Sequence, residues 1–152
     1  MTPLWLQRGQ SGFDSVERFI SARIWGASRP MPGDTQIVSI NADGSMAGAA
    51  IYQNYDPSHG TIELSAAAVT PRWLARNVLY EMFEYPFDQL GCQAVVMRCD
   101  PEDGRLARIF RAYGFKRYDI PRLRGRDRSE AIYVLADEDW RSNGFHKENA
   151  DG

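Results

Sequence analysis

The stretch Thr61 to Tyr85, TIELSAAAVTPRWLARNVLYEMFEY, constrains the fold more than any other part of the chain. An apolar run with one early carboxylate, Glu63, passes through Thr70-Pro71 into apolar residues at helical spacing, Leu74, Val78 and Met82, flanked by Leu79 and Phe83. A strand feeding directly into an amphipathic helix belongs to an α/β architecture. Thr70 suits a helix N-cap, and Pro71 suits the first helical position because its fixed φ fits and its missing N–H needs no partner, so the predicted helix starts at Pro71. A helix start leaves N–H groups unpaired at the electropositive end of the peptide dipole, where an anion is stabilised. Arg72 and Arg76, four residues apart on that turn, oppose the dipole; they either flank an anion or reach solvent and surface carboxylates.

The flanking segments supply the rest of the architecture. Leu4 to Arg8 reads as a strand, and Phe13, Val16, Ile20 and Ile24 form a helical stripe that runs through Trp25. GASRPMPG, residues 26–33, can continue neither element and is a surface loop; in an enzyme it would border an acceptor site. Thr35 to Ile40 and Ser45 to Tyr55 flank Asn41-Ala42-Asp43-Gly44, a strong hairpin signal. Ile62 to Val69 is predicted as a central strand buried on both faces, with Pro86 helping to end the helix that follows. Gln93 to Cys99 reads as a strand parallel to it, which completes a βαβ unit. Leu106, Ile109, Phe110 and Tyr113 define a further helix that Gly114 ends in a left-handed cap. Phe115 to Ile120 and Glu130 to Leu135 are the last strands, joined by the arginine-rich loop PRLRGRDRS. Asp137 to Arg141 makes a final helical turn.

Together these predict one α/β domain over residues 1–141 and a polar, flexible tail over 142–152. At 152 residues and 43% hydrophobic content the chain has material for one core. Its net charge of −2 gives no global sign of a nucleic-acid or membrane-surface binder, so any basic site is local. The opening residues carry no signal-peptide pattern and no stretch is long and apolar enough to span a bilayer, so a cytoplasmic location is expected. Cys92 and Cys99 lie at the two ends of one predicted strand, too far apart to bridge, and read as reduced core residues. With His59 and His146 they match no zinc spacing, and no metal is expected. His59 lies in the turn DPSHG and reads as a solvated loop residue.

The element order, with a phosphate-ready helix start in its middle, resembles the GNAT superfamily of acyl-CoA-dependent N-acyltransferases over roughly Leu4 to Leu135. The resemblance implies a mixed, mostly antiparallel central sheet with a central parallel βαβ unit and flanking helices. The family's Gln/Arg-x-x-Gly-x-Gly/Ala loop has its counterpart in Arg72-Trp73-Leu74-Ala75-Arg76-Asn77, with Ala75 and Asn77 in place of the small residues. The segment DPEDGRLARIFRAYGF, Asp100 to Phe115, resembles the family's later helix with its terminal Gly-Phe. On this basis Arg72, Leu74, Ala75, Arg76, Asn77, Asp100 and Arg105 are expected to hold acetyl-CoA or another acyl-CoA, with Ala67 and Val69 offering strand backbone to its pantetheine arm. Glu63 corresponds to the glutamate that serves as general base in histone-acetyltransferase-like members, where a carboxylate must deprotonate an ammonium before it can attack. Phe110 stands where many members place the tyrosine acid, which leaves Tyr113, another tyrosine or water for that role.

For the acceptor, the residues offer Trp25, Tyr52 and Tyr55 as aromatic surfaces, and Arg122 and Arg124 within a loop that concentrates positive charge. Small amines, polyamines and protein amines fit this pattern, and so does adenine in DNA, which a phage enzyme of the same fold modifies. A non-catalytic acyl-CoA-binding or interaction module is the other class of reading.

Overall fold

The computed structural model describes residues 1–146, which form a seven-stranded sheet in the order β1-β2-β3-β4-β5-β7-β6. The strands are β1 (Thr2–Gln7), β2 (Thr35–Ile40), β3 (Met46–Asp56), β4 (Thr61–Ala68), β5 (Ala94–Cys99), β6 (Lys116–Ile120) and β7 (Glu130–Ala136). Every neighbouring pair is antiparallel except β4 and β5, so the expected mixed sheet with a central parallel βαβ unit is the one observed. The β2–β3 hairpin turns at Asn41–Ser45, with Gly44 at φ 87°.

Helix α1 (Phe13–Trp25) packs one face of the sheet, burying Phe13, Val16 and Ile20 against Val38, Ala49 and Ile51. Helices α2 (Arg76–Glu84) and α3 (Gly104–Tyr113) pack the other, with Val78, Met82, Phe83 and Phe110 over Ile62, Leu64 and Val95. Gly114 ends α3 as expected, at φ 113°, its N–H donating to the Phe110 and Arg111 carbonyls. The short α4 (Asp137–Ser142) inserts Trp140 into this second core. Among the described residues no helix is long and apolar enough to cross a membrane.

The structure corrects the sequence reading at four places. Helix α2 starts at Arg76, not at Pro71. The Val69 and Thr70 N–H groups both donate to the Ala47 carbonyl, and a turn over Thr70–Trp73 then drives the Trp73 indole onto β3 at Gly48. Burying that indole outweighs the local helix-start signal, and a Cβ at Gly48 would stand 2.5 Å from it. Pro86 does not stop the chain's coiling: lacking an N–H, it sits in a π-helical turn, Tyr85–Gln89, closed by Leu90 N–H donating to the Tyr85 carbonyl. Strand β4 is buried on both faces only in part: Ile62 and Leu64 face the α2/α3 core and Ala67 the α1 core, but Glu63 and Ser65 are partly exposed. Residues 142–146 of the expected flexible tail are packed: Asn143 donates to the Tyr113 carbonyl at 2.9 Å, and the Phe145 ring lies 4.9 Å from that of Tyr113. Residues 147–152 lie outside the described residues.

Candidate active site

Parallel pairing between β4 and β5 lasts three rungs, Thr61 with Ala94, Ile62 with Val95 and Glu63 with Val96. Beyond Glu63, β4 stays with β3 as far as Ala68, while β5 stays with β7 as far as Cys99. The two strands therefore part, leaving edges that do not pair with each other, and an unpaired strand edge is a template for an extended chain. Arg23 of α1 donates to the Ala68 carbonyl at 3.0 Å on one rim of the gap. Arg105 of α3 donates to the Pro71 carbonyl at 2.8 Å across the other.

A cavity of about 230 Å³ lies beside the gap on the α2/α3 face, and it is apolar: Ala66, Leu74, Met82, Met97 and Phe110 are among its walls. Of the expected cofactor residues, Ala67 and Leu74 line it. Val69 is exposed beyond the end of β4, and Arg72 is exposed in the turn that follows. Ala75 is the residue before α2 and Arg76 and Asn77 are its first two; no side chain caps this helix start. The Arg76 guanidinium lies over the Phe145 ring, 4.7 Å from its centre, and Asn77 donates to the Met1 carbonyl. Because α2 starts late, Arg72 and Arg76 do not share a helical face. Asp100 does not line this cavity: it accepts from the Glu102 N–H at 3.0 Å and stands 3.5 Å from Arg128. Tyr113 lines the cavity, and its hydroxyl accepts from the Trp140 indole N–H at 3.1 Å. Burial pushes its phenol up to about 12, so the group holds its proton at neutral pH.

A second cavity, of about 540 Å³, lies on the opposite face, and it is polar. Side chains alternate along strands, and residues paired across strands share a face. Gln53 pairs with Glu63 and Glu63 with Val96, so Gln53, Glu63, Ser65 and Arg98 all project from the same side, and all four line this cavity. A bulge after Gln53 puts Asn54 in the left-handed region at φ 55°, and from there its side-chain amide donates to Glu63 Oε2 at 2.5 Å. Gln53 donates to Ser65 Oγ at 2.5 Å, and its buried Oε1 has no hydrogen-bond partner among the described residues. At the far wall the buried Glu130 carboxylate lies 3.3 Å from Arg124 Nε and 3.6 Å from Arg98 Nη2. Loop 26–33 closes the cavity with Arg29, whose guanidinium lies 3.5 Å from the Trp25 ring centre, and Pro32. Arg8 holds that loop through the Met31 and Gly33 carbonyls. Both cavities are lined by Ile24 and Arg98, so they adjoin at the gap.

The structure thus brings together Glu63, Trp25 and Arg124 from the expected catalytic and acceptor residues. It does not bring Tyr52 with them. Tyr52 is one residue out of phase with Gln53, so it points to the α2 face, where it is 3% exposed, stacks on Trp5 and donates to the Met82 carbonyl. Tyr55 follows the bulge and its hydroxyl donates to the Leu90 carbonyl at 3.2 Å. Arg122 is exposed at φ 72° and is not in the wall. Arg98, Glu130, Gln53 and Asn54 are site residues that the sequence reading passed over. A charge inside the apolar run QAVVMRC and a carboxylate opening the last strand were the available signals.

No family model and no curated protein matches the chain. Solved structures do. A GCN5-related N-acetyltransferase from Brucella melitensis is 21% identical, with 90% of this chain and 72% of that one covered at a TM-score of 0.64. A variant of spermidine N-acetyltransferase SpeG from Vibrio cholerae is 13% identical, with 93% and 98% covered at a TM-score of 0.65.

Proposed function

We propose that this chain, whose fold is that of the GCN5-related N-acetyltransferases, transfers an acyl group, acetyl in the first instance, from acyl-CoA to an amine. One observation carries the reading: Glu63, fixed by Asn54, stands on the last paired rung of β4 and β5, where an apolar cavity adjoins a polar one. Acyl-CoA, when bound, supplies the thioester that the amine attacks. The residues present fit it. The β4 edge that β5 leaves unpaired, from Leu64 to Ala67, offers backbone groups to the amides of a pantetheine arm, and the uncapped start of α2 with Arg72 offers N–H groups and positive charge to phosphates. Glu63 takes the proton that keeps the amine from attacking, and Tyr113 holds a proton on the side of the departing thiol.

Titration calorimetry with acetyl-CoA, and with CoA lacking its 3′-phosphate as the weaker-binding control, tests the site. Turnover of Glu63→Gln tests the chemistry. Saturable binding with turnover depressed in that variant is the expected pair of results; no binding to acetyl-CoA or to a panel of acyl-CoAs overturns the reading.

A further inference from the structure

We infer that the acceptor is a small amine that also carries a carboxylate, with its ammonium at Glu63 and Gln53 and its carboxylate at Arg98 and Arg124. The inference rests on the N-acyl-transfer reading and names the substrate class of that same site.

Charge comes first. The polar cavity is lined by three guanidinium groups, Arg29, Arg98 and Arg124, and by two carboxylates, Glu63 and Glu130. Arg29 is stacked on Trp25. Glu130, its side chain 7% exposed, faces Arg98 and Arg124 at once, so one carboxylate is shared between two cations. Its distance to Arg98, 3.6 Å, is beyond hydrogen-bond reach, and although Glu130 stands 3.3 Å from the buried Arg124 Nε, the two make an ion pair and no hydrogen bond. The pair of guanidiniums is therefore held in place by Glu130 without being saturated by it, an arrangement suited to receiving a second carboxylate.

Geometry comes second. Arg98 is two residues beyond Val96, the partner of Glu63, and on the same face, which sets it about 6.6 Å further along the strand axis. A base for the ammonium and a receptor for an anion thus lie within the length of one small molecule. Gln53 lines the cavity beside the base, and its buried Oε1, without a hydrogen-bond partner among the described residues, keeps its accepting capacity for an ammonium that displaces its cover. A polyamine makes the opposite demand, since its second ammonium would meet Arg98 and Arg124 where it needs carboxylates.

The test uses the full chain and amines in matched pairs: the twenty common α-amino acids with 4-aminobutyrate, their carboxamides, and spermidine. Two readouts are taken, thermal-shift or calorimetric binding of the amine alone, and thiol release from acetyl-CoA. We expect carboxylate-bearing amines to be preferred over their amides by at least about tenfold in both, the worth of a charge-assisted hydrogen bond. In Arg98→Gln that preference collapses, and in Arg98→Lys it is partly restored; Arg98 is half exposed, so neither change threatens folding. Equal or better use of amides or spermidine overturns the inference, as does the absence of any preference in binding. Loss of acetyl-CoA binding with the amine preference intact would instead sink the transfer reading while leaving the recognition site standing.

Discussion

Asn54 and Glu63 form a pair in which a strained backbone aims a side chain: Asn54 adopts φ 55° at the β3 bulge, and its amide reaches Glu63 Oε2 across the β3–β4 ladder. Asparagine is one of the few side-chain-bearing residues that take this conformation readily, and bulges commonly re-aim side chains beside functional sites. If Glu63 is the base, Asn54 positions it, and two substitutions separate the roles of its backbone and its amide. Asn54→Gly keeps the backbone and removes the amide, so we expect an unchanged melting temperature and a roughly tenfold lower kcat at unchanged acetyl-CoA KM. Asn54→Ala loses both, at an added cost of about 1 kcal/mol in urea unfolding.

Glu63→Gln is expected to lower kcat by about a hundredfold or more, the usual worth of a general base, with acetyl-CoA affinity preserved in calorimetry. Steady-state rates equal to those of the parent protein would remove Glu63 from the mechanism.

Gly48→Ala places a methyl group 2.5 Å from the Trp73 indole. Since Trp73 anchors the turn that delays the start of α2, the expected result is a loss of about 1–3 kcal/mol in urea unfolding and weaker acetyl-CoA binding. Adding Trp73→Leu to relieve the clash should recover part of the stability.

His59 and Asp56 pair at 2.6 Å in the exposed turn between β3 and β4. Hydrogen bonds from Ser58 and His59 hold the Asp56 carboxyl well below its ordinary value, and its contribution is lost as pH falls through that lowered value. The Asp56 hydrogen bond raises His59, whose contribution is complete below 6.5 and lost as pH rises through the raised folded value. An NMR titration should give His59 a midpoint above 6.5, returning towards 6.5 in Asp56→Asn.

Cys99 is buried and its thiol is pushed up to about 12, chiefly by desolvation, while burial also raises Cys92. Both thiols should stay inert to a thiol reagent at pH 8 in the folded protein and react together on unfolding.

Elements governed by local patterns were legible in the sequence. The stripe Leu106, Ile109, Phe110, Tyr113 with Gly114, the Asp43-Gly44 hairpin and the βαβ unit each depend on periodicity or on one turn residue. The start of α2 was not, because a distant contact decides it: Trp73 is drawn to Gly48, a residue far off in the chain, and tertiary burial overrides Thr70-Pro71. Site residues divide in the same way. Glu63 was singled out through the family resemblance and Arg124 as part of a run of charge, and both line the polar cavity; Tyr52 is one residue out of phase with Gln53, which only the register with β4 resolves. Arg98 gains meaning from Glu130, thirty-two positions later, and no spacing rule links them.

The three-rung seam between β4 and β5 makes the sheet two leaves joined along a short spine, β1 to β4 on one side and β5, β7 and β6 on the other. A donor whose arm lies along both free margins would bind the leaves together and become part of the scaffold it reacts on. Its supply would then govern how long the protein endures as well as how fast it works, and slowed amide exchange across both strands would be the mark of a loaded molecule.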